Sequence, residues 1–273
     1  MMQRAAEVID GAEVFIITAG AGMGVDSGLP DFRGDHGFWK AYPAYARLGF
    51  TFIDCANPQH FSADPTLGWG FYGHRTNLYR ETVPHDGFHI IRKWIERKRA
   101  EYFVVTSNVD GQFQKAGYAD DRIVEVHGSI HWLQCQTPCC SRIWDNDEVI
   151  PIDENTMRAR QPLPRCPDCG AVSRPNILMF GDWSWLPDRT RIKEHTLDRF
   201  LAAHADRRIA VIEMGAGNAI PTIRATSERI GWNLEHATVI RINPREGEIS
   251  PPHISLPCGA LDALAGIDAA ICA

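Results

Sequence analysis

Five short apolar runs constrain what this chain can fold into more than any other feature. They are Glu13 to Thr18, Tyr102 to Thr106, Ile123 to Val126, Ile209 to Met214 and Thr238 to Ile242. They are strand-like in length and rich in Val, Ile and Phe, and stretches of helical periodicity separate them. Met1 to Asp10 sets Ala5, Val8 and Ile9 on one side; Phe88, Ile91, Trp94 and Ile95 share another face, ahead of the basic Arg97, Lys98 and Arg99 that suit a helix C-terminus. Further helices are expected at Gln112 to Ala116, through Leu197, Phe200, Leu201 and His204, after Pro221, and from Leu261. Strands that alternate with helices pair in parallel and are covered on both faces. Ligands of such sheets bind beyond the carboxyl ends of the strands.

Between Gly37 and Pro84 the alternation lapses. Trp39, Tyr42, Tyr45, Phe50, Phe52, Phe61, Trp69, Phe71 and Tyr72 crowd among Gly and Pro, which reads as an inserted helical module with its own aromatic core. With 273 residues, 44% of them hydrophobic, there is material for one or two packed domains. A net charge of -6 with no Lys/Arg block argues against a nucleic-acid partner. The apolar run near the N-terminus is too short for a secretory or membrane-spanning segment. A cytoplasmic protein is expected, in which eight cysteines read as metal ligands and core thiols.

The first strand runs into Thr18-Ala19-Gly20-Ala21-Gly22-Met23-Gly24, then Pro30-Asp31-Phe32-Arg33-Gly34. Glycines let a backbone approach a pyrophosphate, and amides opening a helix supply donors to an anion. The spacing is not G-x-G-x-x-G, so the cluster by itself is a weak signal. Farther on, Cys135 with Cys139 or Cys140, and Cys166-Pro-Asp-Cys169-Gly170, supply two cysteine pairs. Four thiolates suit a tetrahedral, structural zinc with no open position for water. Cys139 is preferred to Cys140 because the shorter loop is nearer a zinc knuckle.

His127 follows the run Ile123 to Val126 and precedes Gly128-Ser129, so its imidazole should emerge at a strand end. A neutral imidazole suits general-base work on a hydroxyl, although a lone histidine is more often structural. Asn108 and Asp110 follow the strand ending at Thr106; they fit either recognition of ribose and amide groups or an Asx-type turn.

Taken together these segments resemble the sirtuins, the NAD-dependent protein deacylases. The glycine stretch through Arg33-Gly34 is similar to the family's first signature, Thr106-Ser-Asn-Val-Asp110 to its TQNID, and Glu125-Val-His127-Gly128-Ser129 to its catalytic HG. The cysteine pairs, Arg174-Pro175 through Phe180-Gly181-Asp182, Gly215-Ala216-Gly217 and Ile242-Asn243 follow in the family's order, over about residues 5 to 267. The resemblance implies an α/β fold: a Rossmann-like parallel-sheet domain (1–35, 101–130, 174–273) and a smaller discontinuous domain made of the helical module (36–100) and a zinc module (131–173). NAD would be a consumed co-substrate. His127 and Asn108 would be catalytic, Asn108 orienting the reacting ribose and Asp110 fixing nicotinamide. Ala19, Gly20, Ala21, Gly22, Asp31, Phe32, Arg33, Ser107, Gly215, Ala216, Gly217, Asn243 and Ala260 would complete the cofactor site, and an acyl-lysine protein or peptide would be the partner. Ser107 stands where the family has Gln, Gly24 where it has Ser, and the hydroxyls of its GTS are missing.

Tyr72-Gly-His-Arg75 places a phenol and a guanidinium on one helix face, which fits either core packing or a grip on a carboxylate. It resembles an element of sirtuins active on succinyl- and malonyl-lysine. Two other functions compete: an NAD glycohydrolase or ADP-ribosyltransferase on the same site, and a non-catalytic NAD or ADP-ribose binding module.

Overall fold

The computed structural model describes residues 1–30, 38–40, 42–47 and 49–272; Asp31, Phe32 and Arg33 lie outside the described residues. Its centre is a six-stranded parallel sheet formed by β1 (Val14–Ala19), β2 (Glu101–Thr106), β3 (Ile123–Glu125), β9 (Ile209–Met214), β10 (Ala237–Ile242) and β11 (Ile254–Leu256). The segments between β3 and β9 build smaller sheets. The order in the main sheet is β11-β10-β9-β1-β2-β3, so the chain winds outward from β1 in one direction, returns, and winds outward in the other. The reversal falls between β1 and β9, where a crevice opens at the carboxyl ends of the strands.

Both faces of the sheet are covered, which accounts for the unbroken burial of β1 and β9. On one face Phe15, Ile17 and Val104 pack with Ile9, Phe88, Ile91, Trp94 and Leu264 from the helices Met2–Gly11, Asp86–Lys98 and Ala260–Cys272. On the other, Val14, Ile16, Phe103 and Val211 meet Leu197, Phe200, Ile223 and Ile230 from Asp188–Ala203 and Thr222–Asn233. The helix Asp86–Lys98 falls inside the range read above as the small domain, yet its apolar face lies on the main sheet. His85 caps its N-terminus by accepting from the Gly87 amide, and Arg97 and Lys98 occupy its last turn, where cations complement the dipole.

A separate core gathers Phe38, Tyr45, Phe61, Trp69, Phe71 and Tyr72 with Ile130, Leu133, Ile150 and Met157. Its main helix, Pro65–Glu81, starts with Asp64 accepting from the Leu67 amide and with Pro at the first turn. This helix has buried residues on every side because other chain segments wrap it. A Cβ on Gly70 would come within 1.9 Å of the Met157 carbonyl, and one on Gly73 within 2.6 Å of Ile150. Those glycines cost helix stability but permit the close approach. The antiparallel sheet β5-β4-β8 (Ile143–Asp145, Gly128–Cys135, Ser173–Ile177) joins this core to the main sheet, and β6 (Ile152–Asp153) pairs with β7 (Arg158–Ala159) alongside. Strand β8 reads Ser-Arg-Pro-Asn-Ile, which shows no apolar pattern, and β4, β8 and β11 are absent from the strands expected from sequence.

Candidate active site and metal centre

The crevice is lined by two glycine turns that touch. Gly20 N donates to Met214 O at 2.9 Å and Gly22 N to Gly215 O at 3.1 Å. A Cβ on Gly22 would stand 2.6 Å from Gly215 Cα, and one on Gly215, whose φ is +62°, 2.4 Å from the Gly22 backbone. Glycine is therefore required on both sides. The amides of Ala21, Ala216 and Gly217 make no hydrogen bond among the described residues. Three unused backbone donors beside a close-packed turn fit a bound pyrophosphate.

Ala19 is fully buried and holds the strand ends together, its carbonyl accepting from Ser107 N at 3.1 Å and Thr106 Oγ1 at 3.0 Å. Asn108 donates Nδ2 to Gly20 O at 3.0 Å, so its amide ties the β2 turn to the glycine cradle and leaves the side-chain oxygen for a ligand. Asn243 is fully buried; its Nδ2 donates to Ala216 O at 2.8 Å and its Oδ1 accepts from the Arg245 and Glu246 amides. Both ends of that carboxamide serve the backbone, so Asn243 shapes the turn. Ala260 opens the last helix, where Asp26 of the cradle accepts from Leu261 N at 2.9 Å.

His127 lies between β3 and β4; burial pushes its pKa below the usual imidazole range, and the Ser107 backbone opposes the shift. It is neutral at pH 7. The next residue must be glycine: Gly128 has φ +75°, and a Cβ there would meet the Asn176 carbonyl at 2.0 Å. Asp110 is buried and accepts from Gln112 N at 3.0 Å through Oδ1; burial raises its pKa to about 6.

His131 is a further residue at the site that the sequence does not single out. His131 Nε2 bonds the Asp110 carbonyl at 2.9 Å, and its ring lies where a Gly111 Cβ would be. Glu125 is another: it meets Arg189 at 2.7 Å, and its own carbonyl accepts from Thr190 Oγ1, fixing the strand that leads to His127. Neither role has a local sequence signal, because each depends on contacts far along the chain.

Tyr72 and Arg75 are both buried. Arg75 Nε and Nη2 donate to the Tyr79 hydroxyl at 2.9 and 2.6 Å, so the phenol that the guanidinium bonds is four residues on, while the Tyr72 ring lies 5.7 Å from it. Phe71 and Phe52 complete the aromatic surround, and Phe52 stands edge-on to Phe180.

At the far end of β4 the sulfurs of Cys135, Cys139, Cys166 and Cys169 lie within 4.8 Å of one another. The Cys135–Cys169 and Cys139–Cys166 separations are both 3.7 Å. A zinc tetrahedron with Zn–S near 2.3 Å has edges of about 3.8 Å, so the residues present fit one zinc ion. Cys140 is outside the group, its Sγ directed to Asp168 at 3.2 Å. Among the described residues, no helix is long and apolar enough to cross a membrane.

Comparison with known proteins agrees with this geometry. The model of the Sir2 family matches residues 20–201. An NAD-dependent protein deacylase of Pyrococcus furiosus is 32% identical over 206 residues, covering 76% of this chain and 74% of its own. One from Thermus thermophilus is 27% identical over 268 residues, covering 97% and 92%. Among solved structures, a Sir2 homolog in complex with NAD superposes with a TM-score of 0.73 at 24% identity, covering 98% of this chain and 93% of that one.

Proposed function

Because this chain belongs to the Sir2 family, we propose that it is an NAD-dependent protein-lysine deacylase whose general base is His127. NAD, held by the two glycine turns, would offer its anomeric ribose carbon to the acyl oxygen as the bond to nicotinamide breaks; the acyl group would then pass to a ribose hydroxyl and water would release the amine, giving nicotinamide, free lysine and O-acyl-ADP-ribose. Asn108, anchored on the Gly20 carbonyl, presents its side-chain oxygen to the ribose, and ionised Asp110 accepts from the nicotinamide carboxamide. His127 takes the proton of a ribose hydroxyl. Burial disfavours its protonated form. The zinc is structural, since four thiolates fill its tetrahedron.

The observation that carries this reading is the glycine cradle, whose amides of Ala21, Ala216 and Gly217, unbonded among the described residues, stand beside Asn108, itself held on Gly20 O at 3.0 Å, with His127 at the end of the neighbouring strand β3. Nicotinamide release should require an acyl-lysine peptide, and His127→Ala should lower turnover by ~10²-fold or more. Release at the same rate without peptide would favour the glycohydrolase or ADP-ribosyltransferase instead. An unaltered rate in His127→Ala would remove the base assignment.

The division of the chain that we favour keeps the sheet as one domain and the aromatic and zinc modules as the other, with Asp86–Lys98 going to the sheet. A reducing setting such as the cytoplasm suits eight cysteines that are all free. We also assign Arg75 to the recognition of acidic acyl groups: a guanidinium enclosed by rings, next to the Phe52–Phe180 pair, is a strong site for a carboxylate. Arg75→Met should raise KM for a succinylated peptide and leave the acetylated one little changed; equal losses on both would reduce Arg75 to a packing residue.

A further inference from the structure

The turn that follows β8 presents a tryptophan to solvent. Trp183 is 99% exposed, and Leu178, on the same turn, is 39% exposed. An indole offers roughly 150–250 Å² of contact surface, so its complete exposure forgoes a large apolar gain. Loose packing does not explain it, because the turn is fastened from beneath. Asp182, the preceding residue, is drawn inward to Arg174 in an ion pair of 2.8 Å, with both side chains fully buried. The same carboxylate accepts from Met179 N at 3.3 Å and Ser184 N at 3.0 Å. Gln134 of β4 donates to Ser184 O at 2.8 Å and accepts from Leu186 N at 3.0 Å. Gly181, at φ +65°, supplies the left-handed residue the turn requires. The backbone on both sides of Trp183 is thus held, and the ring is held outward.

The turn stands at the rim of the reaction site. Leu178 N donates to His127 O at 2.9 Å, and Phe180 N to Ala56 O at 3.0 Å, so the segment bridges the catalytic strand end and the aromatic module. Resting on the deacylase reading, we infer that Trp183 is a specificity-determining anchor: it takes a bulky apolar side chain of the protein substrate, close in sequence to the acyl-lysine. The apolar class follows from the surroundings of the ring. The carboxylate next to it in the chain, Asp182, is buried and paired with Arg174 and so is not presented beside the indole, while Leu178 adds a second apolar surface. Rigid, preorganised aromatic groups of this kind contribute most to recognition because little entropy is lost when they are covered.

The test is direct binding of fluorescent acetyl-lysine peptides, read by anisotropy so that no turnover is needed. The peptides carry leucine, serine or lysine at the flanking positions. The wild-type protein should bind the leucine peptide about 10-fold more tightly than the other two, equivalent to about 1.4 kcal/mol. Trp183→Ala should abolish that preference, Trp183→Phe should keep most of it, and KM for NAD should stay within about twofold in both. Equal wild-type affinity for the three peptides, a preference that survives Trp183→Ala, or a gain for the lysine peptide would each overturn the assignment. A wild-type protein that binds peptide but releases no nicotinamide would instead overturn the deacylase reading, a failure that the turnover assay registers and the anisotropy does not.

Discussion

Asp110, to which we assign the nicotinamide carboxamide, is held in its site at a cost to stability. Its carboxylate is buried, and its pKa is raised from the ordinary 3.8 to about 6. The folded state therefore binds the proton more tightly than the unfolded chain does, and stability falls as pH rises from about 4 to 6 and stays reduced above that. The ionised group costs about 2–3 kcal/mol above pH 6 by that linkage. Asp110→Asn keeps the acceptor for Gln112 N and removes the charge. It should raise Tm at pH 8, change it little at pH 4, and weaken nicotinamide inhibition; a Tm gain independent of pH would contradict the linkage. The placement of Asn108, Asp110 and His127 just after strand ends was legible in the sequence. The choice of Cys139 over Cys140, made on the shorter loop, agrees with the convergence of the sulfurs, which leaves Cys140 outside the group.

The paired glycine turns matter most at the scale of elements. Each is readable as a glycine cluster, but their contact arises because the sheet order sets β1 beside β9. Gly215→Ala adds both a strained φ and a Cβ at 2.4 Å from the Gly22 backbone. It should cost about 3 kcal/mol or more and remove ADP-ribose binding measured by calorimetry. Gly28→Ala is a useful contrast: φ is +84° but the space is open, so a loss of about 1 kcal/mol with binding retained is expected. Similar effects of the two substitutions would mean that contact between the turns is not what builds the cradle. Strands β4 and β8 show the complementary limit. Arg174 and Asn176 are buried in β8, where Arg174 pairs with Asp182 and Asn176 Nδ2 donates to Gln134, and a polar strand of that kind leaves no hydrophobic period in its sequence.

At the scale of the whole molecule, the sheet and the aromatic module have separate cores, and the zinc cysteines join the second to β4 and β8. Metal removal should therefore loosen one part first. Chelation, or Cys166→Ser, should reduce amide-exchange protection across β4, β5 and β8 and abolish deacylation, since His127 precedes β4 and Phe180 follows β8. Protection in β1, β2, β9 and β10 should persist; a uniform loss would show that the molecule opens as one unit. The alternation of strands and helices, the position of the glycine and Asn/Asp motifs after strand ends, and the cysteine pairing were all determined by the sequence itself, because each rests on local periodicity or short spacing. Tertiary structure decided the rest. It put Asp86–Lys98 on the sheet, engaged both ends of Asn243, set Arg75 on Tyr79, and turned Trp183 outward while drawing Asp182 inward. Those outcomes depend on which distant groups meet in a close-packed interior, where a buried donor or charge must find its partner wherever the fold supplies one.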